Sequence, residues 1–192
     1  MRAPINTVLL VVAVAATACG GTAVPAARTA GRAPAAAPAG EANNGEAPAI
    51  SYTDARAGYR VDAPGQMTAN ADGSASFVGP QERLEVAVRT GTSLDPAALA
   101  AADLAVLRSS LAGFQLVGGP AAIQLGSRRA TKLVYTWTAG TSAVTGKPVQ
   151  LMTARYYIAK DPTKVAVLTY GITASQYDPQ GADDVALTFR WM

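Results

Sequence analysis

The chain holds one cysteine, Cys19, and no histidine, so few kinds of chemistry are open to it. A lone cysteine cannot form an internal disulfide. The lack of histidine removes the commonest general base and the commonest transition-metal ligand. We therefore predict no enzyme activity, no metal site and no cofactor, and we interpret Cys19 as a thiol that is modified.

Lys132, Arg155 and Tyr157 form a second candidate site. They lie in two segments that we predict to be paired strands, and we expect them to fall on the same side of the sheet if the register allows. A cation beside a tyrosine suits the binding of a carboxylate or a partner protein. The alternative is a solvated sheet face on which the stem of the arginine packs.

Nucleic-acid binding is not expected. The net charge is only +3, and no run of basic residues exceeds Arg128-Arg129. A nucleic-acid interface needs lysine and arginine concentrated on one surface. The acidic pair Asp183-Asp184 predicts no catalytic site, because neighbouring positions of a helix point apart. We expect this pair to favour the positive end of the last helix.

The residues before Cys19 have the layout of an export signal. Arg2 is followed by an apolar or small stretch over Ile5–Ala18, which is shorter than the roughly 20 apolar residues of a membrane-spanning helix. The segment Ala16-Thr17-Ala18-Cys19 resembles the end of a bacterial lipoprotein signal. This resemblance implies a signal peptide over 1–18, cleavage after Ala18 and a lipid on the sulfur of Cys19. The alternative is an ordinary secretory signal that leaves Cys19 free.

A low-complexity spacer follows, and with Cys19 it makes up residues 19–49. The stretch from Gly20 to Ala49 contains twelve alanines, five glycines and four prolines in thirty residues. Such a segment buries too little apolar surface to offset its ordering entropy, and its prolines oppose a continuous helix. We predict a disordered tether with a reach on the order of 30 Å.

Residues 50–192 are predicted to form one α+β domain. Alternation of apolar and polar residues, with turn signals between runs, indicates strands. The predicted strands are Ile50–Tyr52, Tyr59–Asp62, Ser74–Val78, Leu84–Arg89, Phe114–Val117, Ala122–Leu125, Arg128–Thr138, Val149–Ala159 and Lys164–Ile172. The last three have short connections between them, which is typical of an antiparallel meander.

Two helices are predicted within this domain. One begins after Asp95 as N-cap and Pro96, runs to about Leu111, and carries an apolar stripe that should cover the sheet. The other begins after Asp178-Pro179. Its stripe is predicted to comprise Ala182, Val185, Phe189 and Met192.

Two segments resemble PsbP-like domains. The first, Ala57-Gly58-Tyr59-Arg60-Val61-Asp62-Ala63-Pro64-Gly65, is similar to their glycine–aromatic–aliphatic–proline entry. The second runs from Lys164 through Tyr170 and Tyr177 to Trp191 and is similar to their closing strand, loop and helix. The resemblance implies a central antiparallel sheet flanked by helices on both faces. That fold occurs in photosystem-associated subunits, a nuclear Ran-binding factor and actinobacterial Lpq-type lipoproteins, which are mostly non-enzymatic.

Together these features predict a lipoprotein anchored to the cell membrane or outer membrane, outside the cytoplasm. Its domain would be a non-enzymatic binding or accessory module that docks on a membrane complex or another envelope protein. Two alternatives stay open. One is a carrier of lipid or small molecules with a cavity between sheet and helix. The other is an extrinsic subunit of a photosynthetic or respiratory complex.

Overall fold

The computed structural model describes residues 49–70 and 73–192. The predictions for the signal peptide, the Cys19 anchor and the spacer up to residue 48 lie outside the described residues. The strands are β1 (Ala49–Asp54), β2 (Tyr59–Pro64), β3 (Gln66–Ala69), β4 (Ala75–Val78), β5 (Glu82–Thr90), β6 (Gln115–Leu125), β7 (Arg128–Thr141), β8 (Pro148–Asp161), β9 (Lys164–Thr173) and β10 (Arg190–Trp191). The helices are α1 (Pro96–Ser110) and α2 (Pro179–Thr188), with a 3₁₀ turn at Ala174–Gln176.

The strands form two antiparallel sheets. A seven-stranded sheet has the order β3-β4-β5-β9-β8-β7-β6, and a three-stranded sheet has the order β1-β2-β10. The predicted meander of β7, β8 and β9 is confirmed. The meander forms because short turns join three long segments of alternating apolar and polar residues. Each segment can therefore fold back and pair with the strand before it.

Both helices begin where the sequence predicts. The Asp95 side chain accepts hydrogen bonds from the backbone amides of Ala97 and Ala98 at the start of α1. Asp178 caps α2 in the same way through the amides of Gln180 and Gly181. In each helix a proline occupies the first turn, where no backbone donor is needed.

The large sheet is covered differently on its two faces. On one face lie α1 and the smaller core, in which Ala100 packs with Leu133, Tyr135 and Tyr157. On the other face lie the small sheet and α2, which share the larger core with buried residues of the large sheet, Tyr156 among them. The α+β class and the antiparallel sheet are confirmed. The described part is richer in sheet than a sheet flanked by helices on both faces implies, because each face carries a single α-helix and α2 shares its face with the small sheet.

Several element boundaries differ from the predictions. Strands β3 and β10 were not predicted, because they are too short to show a period. The segments around Gly118-Gly119-Pro120 form one strand, β6, with an irregular register rather than two strands. Helix α2 ends at Thr188, so that Phe189 lies beyond it and Arg190–Trp191 pair with β2. In the described residues no helix has the length and apolar character needed to cross a membrane.

Candidate functional site

Three consecutive residues of β8 point to alternate faces of the large sheet. Tyr156 lies opposite Lys132 of β7, and Arg155 lies opposite Leu133. Side chains alternate along a strand, so Tyr156 and Lys132 share the α2 face, whereas Arg155 and Tyr157 share the α1 face. The prediction that Lys132 lies on the same side as Arg155 and Tyr157 is therefore wrong. Register decides this, because a shift of one residue moves a side chain to the other face.

On the α2 face, Asp183 binds both residues of that pair. The Lys132 ammonium nitrogen lies 2.6 Å from Asp183 Oδ1, and the Tyr156 hydroxyl donates to the same oxygen over 2.7 Å. The Lys132 nitrogen also lies 5.3 Å from the centre of the Tyr156 ring. Burial raises the pKa of Tyr156, and the hydrogen bond to Asp183 raises it further, so the phenol stays protonated as a donor. We call Lys132, Tyr156 and Asp183 the Asp183 clamp.

On the α1 face, Asp103 has the same role. The Tyr157 hydroxyl donates to Asp103 Oδ2 over 2.9 Å, and Arg155 Nη1 lies 3.4 Å from that oxygen. The pKa of Tyr157 is raised by burial; the charge of Arg155 lowers it and that of Asp103 raises it. We call Arg155, Tyr157 and Asp103 the Asp103 clamp. Each clamp joins one helix to the sheet through a carboxylate, a cation and a tyrosine.

The two clamps change the interpretation of the candidate site. Lys132 and Arg155 already have carboxylate partners within the chain, and the exposed fraction of their side chains is only 14% and 18%. Their ion pairs position the helices. Asp103 was not among the predicted site residues, and Asp183 was predicted only to favour the positive end of α2. The available signal was an acidic residue beside the apolar stripe of each helix, close to Ala100 and Ala182, which are both fully buried.

Buried side chains fill the contacts between the large sheet and its helices in the described part of the chain. Tyr156, Tyr157 and Leu133 are fully buried, and so are Ala100 and Ala182 on the helices that cover them. Alanine at these helix positions lets the helices lie close to the sheet. These contacts occupy the place where the carrier alternative requires a cavity. A groove of about 440 Å³ lies elsewhere, between the end of α2 and the outer face of the small sheet.

Strand β6 is a long edge of the large sheet, and no strand within residues 49–70 and 73–192 pairs with its outer side. Its eleven residues include no charged residue, and Leu116 and Val117 are 39% and 58% exposed. Val106 of α1, a helix that contacts β6, is 62% exposed. Charged side chains are the usual protection of an edge strand. In β6 the Gly118-Gly119-Pro120 irregularity interrupts the ladder, but the segments on either side of it keep an uncharged edge.

In residues 49–70 and 73–192, no group of three histidine, cysteine or acidic side chains could hold a metal ion. Asp183 and Asp184, adjacent in sequence, have different partners, because Asp184 accepts a hydrogen bond from Gln180 at the surface. Their separation agrees with the expectation that neighbouring helix positions diverge.

Comparison with known proteins gives architectural likeness only. No family model and no curated protein matches the chain. One similar solved structure is a protein of Bacteroides thetaiotaomicron VPI-5482, with a TM-score of 0.48 and 9% identity; the match covers 70% of this chain but only 45% of that protein.

Two further solved structures are similar. The Ran-binding protein Mog1p of Saccharomyces cerevisiae has a TM-score of 0.48 and 11% identity, covering 76% of this chain and 96% of Mog1p. LpqN of Mycobacterium tuberculosis, which is involved in cell envelope biogenesis, has a TM-score of 0.39 and 16% identity, covering 77% of this chain and 83% of LpqN. All three TM-scores lie below 0.5, so no property of these proteins extends to this chain.

Proposed function

We propose that this chain is a lipid-anchored protein outside the cytoplasm, and that its folded part is a non-enzymatic module that docks on a protein partner. The anchor rests on the segment Ala16-Thr17-Ala18-Cys19 and the spacer behind it. Several acyl chains at about 0.8 kcal/mol per buried CH₂ hold a protein stably at a membrane, whereas one short chain does not. The tether lets the domain reach a partner beside the membrane.

The observation that carries the docking role is the unpaired edge of β6. Its outer backbone donors and acceptors face solvent, and an extended chain that pairs with them replaces water with a ladder of hydrogen bonds. The lack of charge over Gln115–Leu125 suits an uncharged strand, since no ion pair has to be desolvated. Leu116 and Val117 add apolar surface. The proposed partner is therefore a protein that adds an extended, uncharged segment beside β6.

Replacing the cysteine tests the anchor. Cys19→Ala should move the protein from the membrane pellet to the soluble fraction, because the thiol that carries the lipid is gone. Cell fractionation measures this, and mass spectrometry of the mature wild-type N-terminus should show the added diacylglyceryl mass. Gly21→Ala, outside the motif, should stay in the pellet. A wild-type protein that is soluble and unmodified at Cys19 would indicate an ordinary secretory signal instead.

Photo-crosslinking tests the docking edge. A photoreactive residue at Val117 should give one discrete adduct in the native membranes. The same residue at Val144, which is 94% exposed in the turn after β7, should give none. Ala122→Lys places a charge on β6 and should reduce the Val117 adduct, because an edge lysine blocks strand addition. Equal adducts at both positions, or none at Val117, would contradict docking at β6.

The identity of the adduct also separates the two kinds of partner. A subunit of a photosynthetic or respiratory complex would support the role of extrinsic subunit. Another envelope protein would support the broader accessory role. Both outcomes require the crosslink to depend on β6.

A further inference from the structure

The groove at the end of α2 is lined mainly by charged side chains. Its volume is about 440 Å³, and it opens on the outer face of the small sheet. Its lining residues are Arg60, Asp62, Asp184, Leu187, Thr188 and Arg190. Neither clamp nor β6 contributes to it. The groove is therefore a separate feature from the proposed docking edge.

Two arginines face each other across strands at this groove. Arg190 of β10 is the register partner of Arg60 of β2. The neighbours of Arg60 along β2, Tyr59 and Val61, are fully buried, so Arg60 points outward. Like charges directly opposite in a sheet destabilise it unless something of opposite charge lies between them. The neighbours of the two arginines offset part of this repulsion, since Arg190 donates to carbonyl oxygens at the end of α2 and Arg60 lies near Asp62.

Neither guanidinium group is fully used by its neighbours. Arg60 Nη2 lies 3.7 Å from Asp62 Oδ1, longer than a charge-assisted hydrogen bond, and their side chains are 55% and 43% exposed. Arg190 donates through Nη1 to the carbonyl oxygens of Leu187 and Phe189. The remaining nitrogens of both groups have no hydrogen bond to the described residues. Each arginine thus keeps part of its donor fork available to a ligand.

A third arginine, Arg128, lies beside the groove but not in its lining. Arg128 donates to the carbonyl oxygens of Phe189 and Leu187, the same two oxygens that accept hydrogen bonds from Arg190. Burial lowers the pKa of Arg128, and the charge of Arg190 lowers it further. The groove lining itself holds the two guanidinium groups of Arg60 and Arg190 and the carboxylates of Asp62 and Asp184. An anion would therefore compete with Asp62 for Arg60, and removal of the Asp62 charge should favour the anion.

We propose that Arg60 and Arg190 bind a phosphate group in this groove. Guanidinium groups pair with phosphate through two parallel hydrogen bonds. A tetrahedral phosphate can offer separate oxygens to two arginines on opposite strands, whereas the oxygens of a carboxylate lie in one plane. The phosphate comes either from a lipid headgroup at the membrane or from a soluble phosphate ester. The site is independent of docking at β6.

Titration with inorganic phosphate tests the site. The full chain carrying Cys19→Ala, labelled with ¹⁵N, is followed through its arginine Nε–H signals. Saturable shifts of the Arg60 and Arg190 signals are expected. Arg60→Gln should weaken phosphate binding by about tenfold, because one charged donor fork is lost. Arg89→Gln, an exposed arginine on β5 outside the groove, should leave the affinity unchanged.

One variant should strengthen binding. Asp62→Asn removes the carboxylate that competes for Arg60 while keeping the shape of the side chain, so phosphate affinity should rise. A purely structural role of these residues gives no such gain. The proposal is overturned if phosphate produces no saturable shift, or if Arg60→Gln binds as tightly as the parent chain. Arg190→Gln serves as the second loss variant, with the same expected result.

Vesicles distinguish the two sources of phosphate. The same chain and its Arg60→Gln variant are floated with vesicles of phosphatidylcholine alone and with vesicles that also contain phosphatidylglycerol. A phosphatidylglycerol-dependent gain that Arg60→Gln abolishes supports a lipid headgroup. Binding of inorganic phosphate without such a gain supports a soluble phosphate ester.

Discussion

Asp183→Ala should lower the free energy of unfolding by roughly 2–4 kcal/mol. The Asp183 carboxylate accepts from the Lys132 ammonium over 2.6 Å and from the Tyr156 hydroxyl over 2.7 Å. Without it the fully buried Tyr156 loses its acceptor, and Lys132, with a side chain only 14% exposed, keeps a charge without a partner. Both changes weaken the contact between α2 and the large sheet.

Urea unfolding followed by circular dichroism measures this loss, and the neighbouring aspartate supplies the control. Asp184 is exposed and binds only Gln180 at the surface of α2, so Asp184→Ala should change stability by less than about 0.5 kcal/mol. The double variant Lys132→Met with Asp183→Leu should recover much of the loss, because it removes the stranded charge. Equal effects at Asp183 and Asp184 would mean that the clamp does not stabilise the fold.

The same clamp shows what local sequence patterns can and cannot predict. In both β7 and β8 the period of two correctly separates the side chains into two alternating sets. Lys132 belongs to one set of β7, and Arg155 belongs to one set of β8. It does not say which set of β7 faces which set of β8. That depends on register, which the turn between the strands sets, including the shift between Thr138 and Thr141. The predicted grouping failed at this step.

Strand β10 and the end of α2 were not predicted correctly for a different reason. Strand β10 has two residues, and its position depends on pairing with β2, which lies far away in sequence. Phe189 continues the apolar spacing of α2, so periodicity alone extends that helix beyond Thr188. In the structure Phe189 instead stacks on Tyr59, with ring centres 5.5 Å apart. Packing against a distant strand ended the helix where local pattern would have continued it.

The caps and the meander were predictable because their causes are local. Asp95-Pro96 and Asp178-Pro179 each place an acceptor and a residue with a fixed backbone angle at a helix start. The long alternating runs of β7, β8 and β9 need only short turns to pair. The partners of Asp103 and Asp183 could not be predicted in this way. Each clamp joins a helix to the large sheet through residues that lie more than fifty positions apart in sequence.

Gly65→Ala should destabilise the fold by roughly 3 kcal/mol or more. Gly65 lies between β2 and β3, where the chain leaves the small sheet and enters the edge of the large one. Its φ angle is +80°, and a Cβ atom there would lie 2.0 Å from the carbonyl oxygen of Val78. The obstacle is backbone, so no side chain can move aside. Relief requires breaking the pairing of Gln66 with Val78.

A matched glycine separates the clash from backbone strain. Gly73 has a φ angle of +82°, but a Cβ atom there would meet nothing within 4 Å. Gly73→Ala should therefore cost only about 1–2 kcal/mol of left-handed strain. Hydrogen exchange should show faster exchange of the β3 and β4 amides in Gly65→Ala and little change in Gly73→Ala. If the two variants unfold at the same urea concentration, the close approach of Gly65 to Val78 does not limit the packing of this corner.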